Sequence, residues 1–241
     1  MTPDTPTLTT ADLDFLSGVD SPTVANAIER LDLRDRSTGY VGGRIRCGFP
    51  ELGPMVGRAL TVTVSDALGR PARQEGYWDL WERLEGMTGP VVIVMKDAST
   101  TPSRVAYAGE IMATLAQRLG AVGFVTDGAL RDVDEVRAKG IHYFSRYTVA
   151  SHANFELTRV GDPVRLDGET VATGDVLHGD VNGLVVVPWA ALPGLPAAVA
   201  RVREGEARDL AYLESPDFTL AGYRRLRTYG AATGPAHEPG V

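Results

Sequence analysis

The sequence predicts an α/β fold with a partly parallel central sheet. Two uncharged runs, VVIVM at 91–95 and AVGFV at 121–125, have the length and β-branched content of buried strands. A helical period lies between them, and a third run, IHYFSRYTV, follows a short helical segment. Strand, helix, strand, short helix, strand is the order that lays parallel strands side by side.

The elements follow in turn. DSPTVANAIERLDL reads as a helix with Ser21 as N-cap, Pro22 at its first position, and Val24, Ile28 and Leu31 on one face. Residues 34–54, rich in glycine and arginine, read as loop. RALTVTVSDA is a strand, followed by a polar, mobile stretch. EGYWDLWERLEGM has helical spacing, with Trp78 and Trp81 assigned to the core or to an oligomer contact. Strand 91–95 empties into a polar loop. In AYAGEIMATLAQRLGA, Ile111, Leu115 and Leu119 recur at i, i+4 and i+8 beside Met112 and Ala116, between Gly109 and a terminating Gly120. Strand 121–126 then turns at Asp127-Gly128, and RDVDEVRAKG is a short helix ended by Gly140. DPVRLDGETVATGD is a hairpin about Asp167-Gly168. GDVNGLVVVP supplies a turn and a last core strand. These later strands are expected to form a second, more antiparallel layer, before a helix from Pro193 to Leu213 and an irregular tail.

Composition excludes several functions. The 241 residues suit one large domain, and 44% hydrophobic with 23% charged residues is ordinary globular composition. A net charge of −7 argues against non-specific nucleic-acid binding, which needs a positive footprint. The uncharged run GLVVVPWAALPGLPAAVA is broken by Pro188, Pro193 and Pro196, which argues against a membrane span. The single Cys47 excludes an intrachain disulfide, and the first residues show neither a basic nor an apolar leader pattern, so a cytoplasmic location is expected. There is no G-x-S-x-G, Walker or dinucleotide-binding glycine motif. The four histidines lack metal-ligand spacing, and His142 reads as a strand residue. Schiff-base chemistry has two candidate amines, Lys96 and Lys139.

GFVTDGALRDVDE, residues 123–135, admits two readings. Asp132, Asp134 and Glu135 suit the first turn of a helix by themselves, each by about 0.3–1 kcal/mol. Alternatively they border a site. The exits of strands 91–95 and 121–126 share one sheet edge, where α/β proteins place ligands. Free N–H groups of residues 109–112 at a helix start attract a carboxylate or phosphate. Arg131 can add a bidentate clamp, and Asp132 with Glu110 can hold a hard cation through oxygen or water. An anion clamp beside a divalent cation suits a 2-oxo acid, whose cleavage passes through an enolate.

The stretch AYAGEIMATLAQRLGAVGFVTDGALRDVDEVRAKGI resembles the core of the RraA-like family, which contains class II pyruvate aldolases and the regulator of ribonuclease activity A. SPTVANAIERL, VGRALTV and GDVLHGDVNGLVVVP resemble further blocks, in the right order. The family signature is an acid, twenty residues, Arg-Asp, and an acid three positions on: here Glu110, Arg131-Asp132 and Glu135. The resemblance implies a swivelling β/β/α layered fold in a single domain over 1–241, with a core at about 20–190 and a C-terminal helical extension over about 191–241. It implies homotrimers or hexamers with sites between subunits. It also implies a lyase that cleaves a 4-hydroxy-2-oxo acid to pyruvate, with oxaloacetate decarboxylation or non-catalytic binding of a ribonuclease as alternatives. Arg131 would bind substrate and stabilise the enolate. Asp132 would anchor Mg²⁺ or Mn²⁺, with Glu110 contributing through water and Glu135 supporting. The amides of Gly109, Glu110, Ile111 and Met112 would hold the substrate carboxylate. Two departures stand out: Glu110 replaces the usual aspartate, and the acid that aldolases take from a neighbouring C-terminus has only Glu204 and Glu206 as candidates.

Overall fold

The computed structural model describes residues 6–227. Helices α1 (Thr10–Ser17) and α2 (Ser21–Arg30) precede short strands β1 (Tyr40–Val41) and β2 (Arg46–Cys47). The middle runs β3 (Met55–Asp66), α3 (Glu75–Glu85), β4 (Val91–Asp97), α4 (Glu110–Arg118), β5 (Ala121–Leu130), α5 (Val133–Ala138) and β6 (His142–Thr148). Then come β7 (Phe155–Val160), β8 (Val164–Leu166), β9 (Glu169–Val171), β10 (Val176–Asp180), β11 (Gly183–Val187), α6 (Leu195–Leu213) and α7 (Leu220–Leu226).

Among the described residues, nine strands form one mixed sheet in the order β1-β11-β10-β3-β4-β5-β6-β2, with β7 on the far end of β3. β3 to β6 are parallel, as the alternating pattern predicts. β3 is long enough to serve two partners: Met55–Arg58 pair with β10 and Val62–Asp66 with β7, both antiparallel. The expected second β layer is therefore reduced to the β8–β9 hairpin, because β7, β10 and β11 join the main sheet. That hairpin turns at Asp167 (φ 40°) and Gly168 (φ 99°), the two left-handed residues of a type I′ turn.

Strand alternation divides the core. Val91, Ile93 and Met95 of β4 face α3, α4 and α5, packing with Leu80, Ala113, Ala116 and Val136. Val92 and Val94 face the other way, onto Val164, Leu166 and Val171 of the hairpin region. A third cluster joins α1, α2 and α6 to β10 and β11 through Leu16, Val24, Ile28, Val185 and Val199.

Several local expectations shift. The N-cap of α2 is Asp20, whose side chain accepts from Thr23 N–H; Ser21 is the first helical residue. Residues 34–54 contain β1 and β2, whose hydrogen bonds go to distant β11 and β6. The stretch 67–74 is tied down: Glu156 receives Arg70 at 2.6 Å and Arg73 at 2.8 Å. Those guanidinium bonds, Arg70 first, hold the Glu156 carboxyl well below the usual carboxylate range. Trp81 is buried while Trp78 is exposed. Ile111 is 79% exposed, because α4 buries Ala113 and Ala116 instead. Helix α6 begins at Leu195, and the tail expected to be irregular contains α7. Among the described residues no helix is long and apolar enough to cross a membrane.

Candidate active site

The site forms where the chain between β4 and α4 runs alongside and parallel to the end of β5. Tyr107 N–H donates to Ala129 O and Arg131 N–H donates to Ala108 O, both at 3.0 Å. Ala106 and Ala129 form a parallel bridge. Gly109, the first residue before α4, is thereby laid against Arg131 and Asp132.

β5 does not turn at Asp127-Gly128. It continues to Leu130, and its pairing with β6 shifts between Thr126 and Ala129. The irregularity leaves Asp127 facing β4: its Oδ1 accepts Asp97 N–H at 2.8 Å, and its Oδ2 accepts from the Lys96 ammonium. A bulge of this kind re-aims side chains beside functional sites.

Asp132 then takes a left-handed conformation, φ 56° and ψ 48°, ahead of α5. Aspartate tolerates this region better than most residues. The carboxylate comes to rest against a different helix: Oδ2 accepts the Glu110 N–H at 2.8 Å, capping α4, whose own N-cap Gly109 has no side chain to do so. Gly109 is required by space. A Cβ there would lie 2.4 Å from Asp132 Oδ2 and 2.9 Å from Arg131 Nε. Arg131 Nε stands 3.6 Å from the same carboxylate oxygen. Among the described residues Asp132 Oδ1 has no hydrogen-bond partner, and the Ile111 and Met112 N–H groups have none either. The start of α4 thus offers two unsatisfied donors at the positive end of its dipole.

Gly109, Ile111, Met112 and Arg131 border a pocket of about 230 Å³, with Ala106, Tyr107, Ala108, His152 and Phe155 forming the rest of its lining. Tyr107 gives the pocket its ring. Its hydroxyl donates to buried Asp97 Oδ1 at 2.7 Å, and burial pushes its ionisation well above the ordinary phenol range. Phe155 packs edge-on to Tyr107 with centroids 5.4 Å apart.

The fold brings together Arg131, Asp132 and the amides of Gly109, Glu110, Ile111 and Met112. The Glu110 N–H is taken by Asp132, so two helical amides remain for a ligand. The Glu110 carboxylate pairs with Lys139 Nζ at 3.2 Å. Glu135 is exposed on α5, and Glu204 and Glu206 are exposed on α6. Among the described residues no three His, Cys, Asp or Glu side chains cluster as a ready metal cage. A single carboxylate with one oxygen spare fits magnesium or manganese, which keep several waters and need only one or two carboxylates. Sequence reasoning missed Tyr107, His152 and Phe155, which carry no motif and reach the pocket only through tertiary packing.

A model of the RraA-like family, described as Aldolase/RraA, matches residues 21–186. A Halalkalibacterium halodurans protein named "Putative 4-hydroxy-4-methyl-2-oxoglutarate aldolase" is 30% identical over 159 residues, covering 65% of this chain and 71% of that one. A Marinomonas sp. protein of the same name is 32% identical over 104 residues, 42% of this chain and 62% of that one. Two crystal structures share the fold. An uncharacterised protein from Pseudomonas syringae has a TM-score of 0.70 at 23% identity, covering 93% of this chain and 97% of its own. Streptomyces coelicolor RraAS2, described as an unusual member of the RNase ES inhibitor RraA protein family, has a TM-score of 0.64 at 21% identity, covering 87% and 99%. With the family model matching well over half of its length, this chain belongs to the RraA-like family.

Proposed function

We propose that this protein is a divalent-metal-dependent lyase that cleaves a 4-hydroxy-2-oxo acid by a retro-aldol reaction, releasing pyruvate. One observation carries the reading: Arg131 and two unsatisfied amides of α4 line one pocket, and the Asp132 carboxylate, with one oxygen spare, lies against the same helix start.

The C3–C4 bond breaks. The C4 hydroxyl loses its proton and becomes the carbonyl of the second product, while the bonding pair passes to C3 as pyruvate enolate. Protonation at C3 yields pyruvate. The Ile111 and Met112 amides receive the carboxylate at the helix start. The Arg131 guanidinium, which lines the pocket, would face the negative charge that collects on the enolate oxygen, and a fixed cation there favours the transition state over the ground state. Bound Mg²⁺ or Mn²⁺ would supply Lewis-acid polarisation of the 2-oxo group. Asp132 would hold it, with Glu110 acting through water and Glu135 in support.

Oxaloacetate decarboxylation breaks the equivalent bond and reaches the same enolate, so the same residues serve it. A regulator acting by surface binding needs neither the left-handed Asp132 nor open helical amides, which supports the enzymatic reading. A Schiff base at Lys96 is disfavoured, because its Nζ is held by the Asp127 carboxylate and Lys96 does not line the pocket. We infer a cytoplasmic location, in keeping with the single free Cys47, and a homotrimer or hexamer, supported by Ile111, Trp78 and Val181, which are 79%, 59% and 62% exposed in the single chain.

The test is pyruvate release from 4-hydroxy-2-oxo acids and oxaloacetate with Mg²⁺ or Mn²⁺. Activity should vanish on chelation and return with metal. Activity surviving exhaustive EDTA treatment, or borohydride trapping of pyruvate on Lys96, removes the metal mechanism. Ribonuclease binding without any lyase activity removes the enzyme.

A further inference from the structure

Glu110 is held twice by the segment that carries Asp132. Its N–H donates to Asp132 Oδ2 at 2.8 Å, and its carboxylate pairs with Lys139 Nζ at 3.2 Å. Asp132 is the N-cap of α5 and Lys139 is its C-cap. One short helix therefore presents the carboxylate assigned to the metal at its start and a cation for the second acid at its end.

Lys139 is fixed in that place. Its carbonyl accepts from Gln117 Nε2 of α4 at 2.8 Å, and its N–H donates to Val136 O at 3.1 Å. Glu135 stands four residues earlier on α5, at the spacing for a pair within the helix. Among the described residues, however, the ion pair that Lys139 makes is with Glu110. An ammonium and a divalent cation compete for the same carboxylate, and they repel each other. The Lys139 and Glu110 side chains are 27% and 44% exposed, and a pair this open to water is weak. The lysine can thus lower the affinity for a metal without abolishing it.

We propose that Lys139 is a positioning residue that holds the Glu110 carboxylate back from the metal. Asp132 is then the direct anchor, Glu110 acts only through water, and the ion is bound loosely enough to exchange. This rests on the metal-dependent reading above.

Calorimetric titration of Mn²⁺ into the full chain, without substrate, tests it. Lys139→Met keeps the aliphatic stem and removes the charge, and it should tighten Mn²⁺ binding about five- to tenfold. Loss of a neighbouring positive charge strengthens cation binding by itself, so the same substitution is made in Glu110→Gln protein. There the gain should be at least about threefold smaller, because no carboxylate is released. Lys139→Gln should repeat the pattern, which guards against a disturbance of α5 by methionine. Unchanged affinity in both Lys139 variants overturns the proposal. An equal gain in the Glu110 and Gln backgrounds also overturns it, since Lys139 would then act by its charge alone, and the metal reading would stand. If neither the wild type nor any variant binds Mn²⁺, the metal reading falls and takes the proposal with it.

Discussion

Two helices in this molecule begin against an aspartate from a distant part of the chain. At α2, Ser21 N–H donates to Asp180 Oδ2 at 2.8 Å; at α4, Glu110 N–H donates to Asp132 Oδ2 at 2.8 Å. The device is the same and the surroundings are opposite. Asp180 is buried, and its Oδ1 accepts Asn182 N–H at 2.8 Å. Beside it, fully buried His178 has Nε2 3.0 Å from Leu16 O and 2.9 Å from Val19 O, so Nε2 carries the proton and Nδ1 accepts from Ser21 Oγ at 3.0 Å. Both Asp180 oxygens and both His178 nitrogens are engaged. Asp132, its side chain 34% exposed, keeps an oxygen free beside two free amides and a guanidinium. A saturated network holds structure together, whereas one with leftover hydrogen-bonding capacity facing a pocket is equipped to bind a ligand.

The comparison can be broken at either end. Arg131→Ala should give the largest effect, lowering kcat/KM about 100- to 1000-fold, the range for losing one donor to a developing oxyanion. Its melting temperature should stay within a few degrees of wild type; joint loss of fold and activity would make Arg131 a structural residue. Asp180→Ala should do the reverse. It strands two amides at the α2 end, at a cost of roughly 2–5 kcal/mol in chemical denaturation, with turnover per folded molecule retained. A stable Asp180→Ala protein with lost activity would erase the distinction.

The smallest effect concerns pH. Burial lowers the pKa of His178, and that of His142, below the ordinary imidazole value. The unfolded chain therefore takes up a proton near pH 6.5 that the folded chain resists. The stability is fully present above that pH and is lost as pH falls toward the depressed folded value, by up to about 1.4 kcal/mol per pH unit for each ring. Urea denaturation should show lower stability at pH 5.5 than at 7.5, and His178→Gln should shrink the gap. An unchanged gap in that variant would remove His178 from the buried network.

Much of the parallel core was legible because its signals are local. The apolar runs of β4 and β5 and the Asp167-Gly168 turn need no knowledge of the rest of the chain. β1, β2 and β7 were not legible, since each takes its hydrogen bonds from a strand far away in sequence. The site divides the same way. Spacing singled out Glu110, Arg131 and Asp132, but not that Asp132 caps α4 or that Lys139 holds the Glu110 carboxylate. Ile111 was misplaced because hydrophobic periodicity cannot tell which members of an apolar stripe reach the core: α4 buries Ala113 and Ala116, and Ile111 stays exposed.

The twenty residues between Glu110 and Arg131 have a consequence for how such a chain can vary. They run out along α4 and back along β5, so both ends of the interval must return to one point. Removing one residue from the helix rotates Glu110 by about 100°; removing one from the strand sends Arg131 to the opposite face. Replacement of residues along this path is compatible with the site, while a change in its length is not. Homologous chains should therefore accumulate substitutions in this interval while gaps in their alignment fall elsewhere.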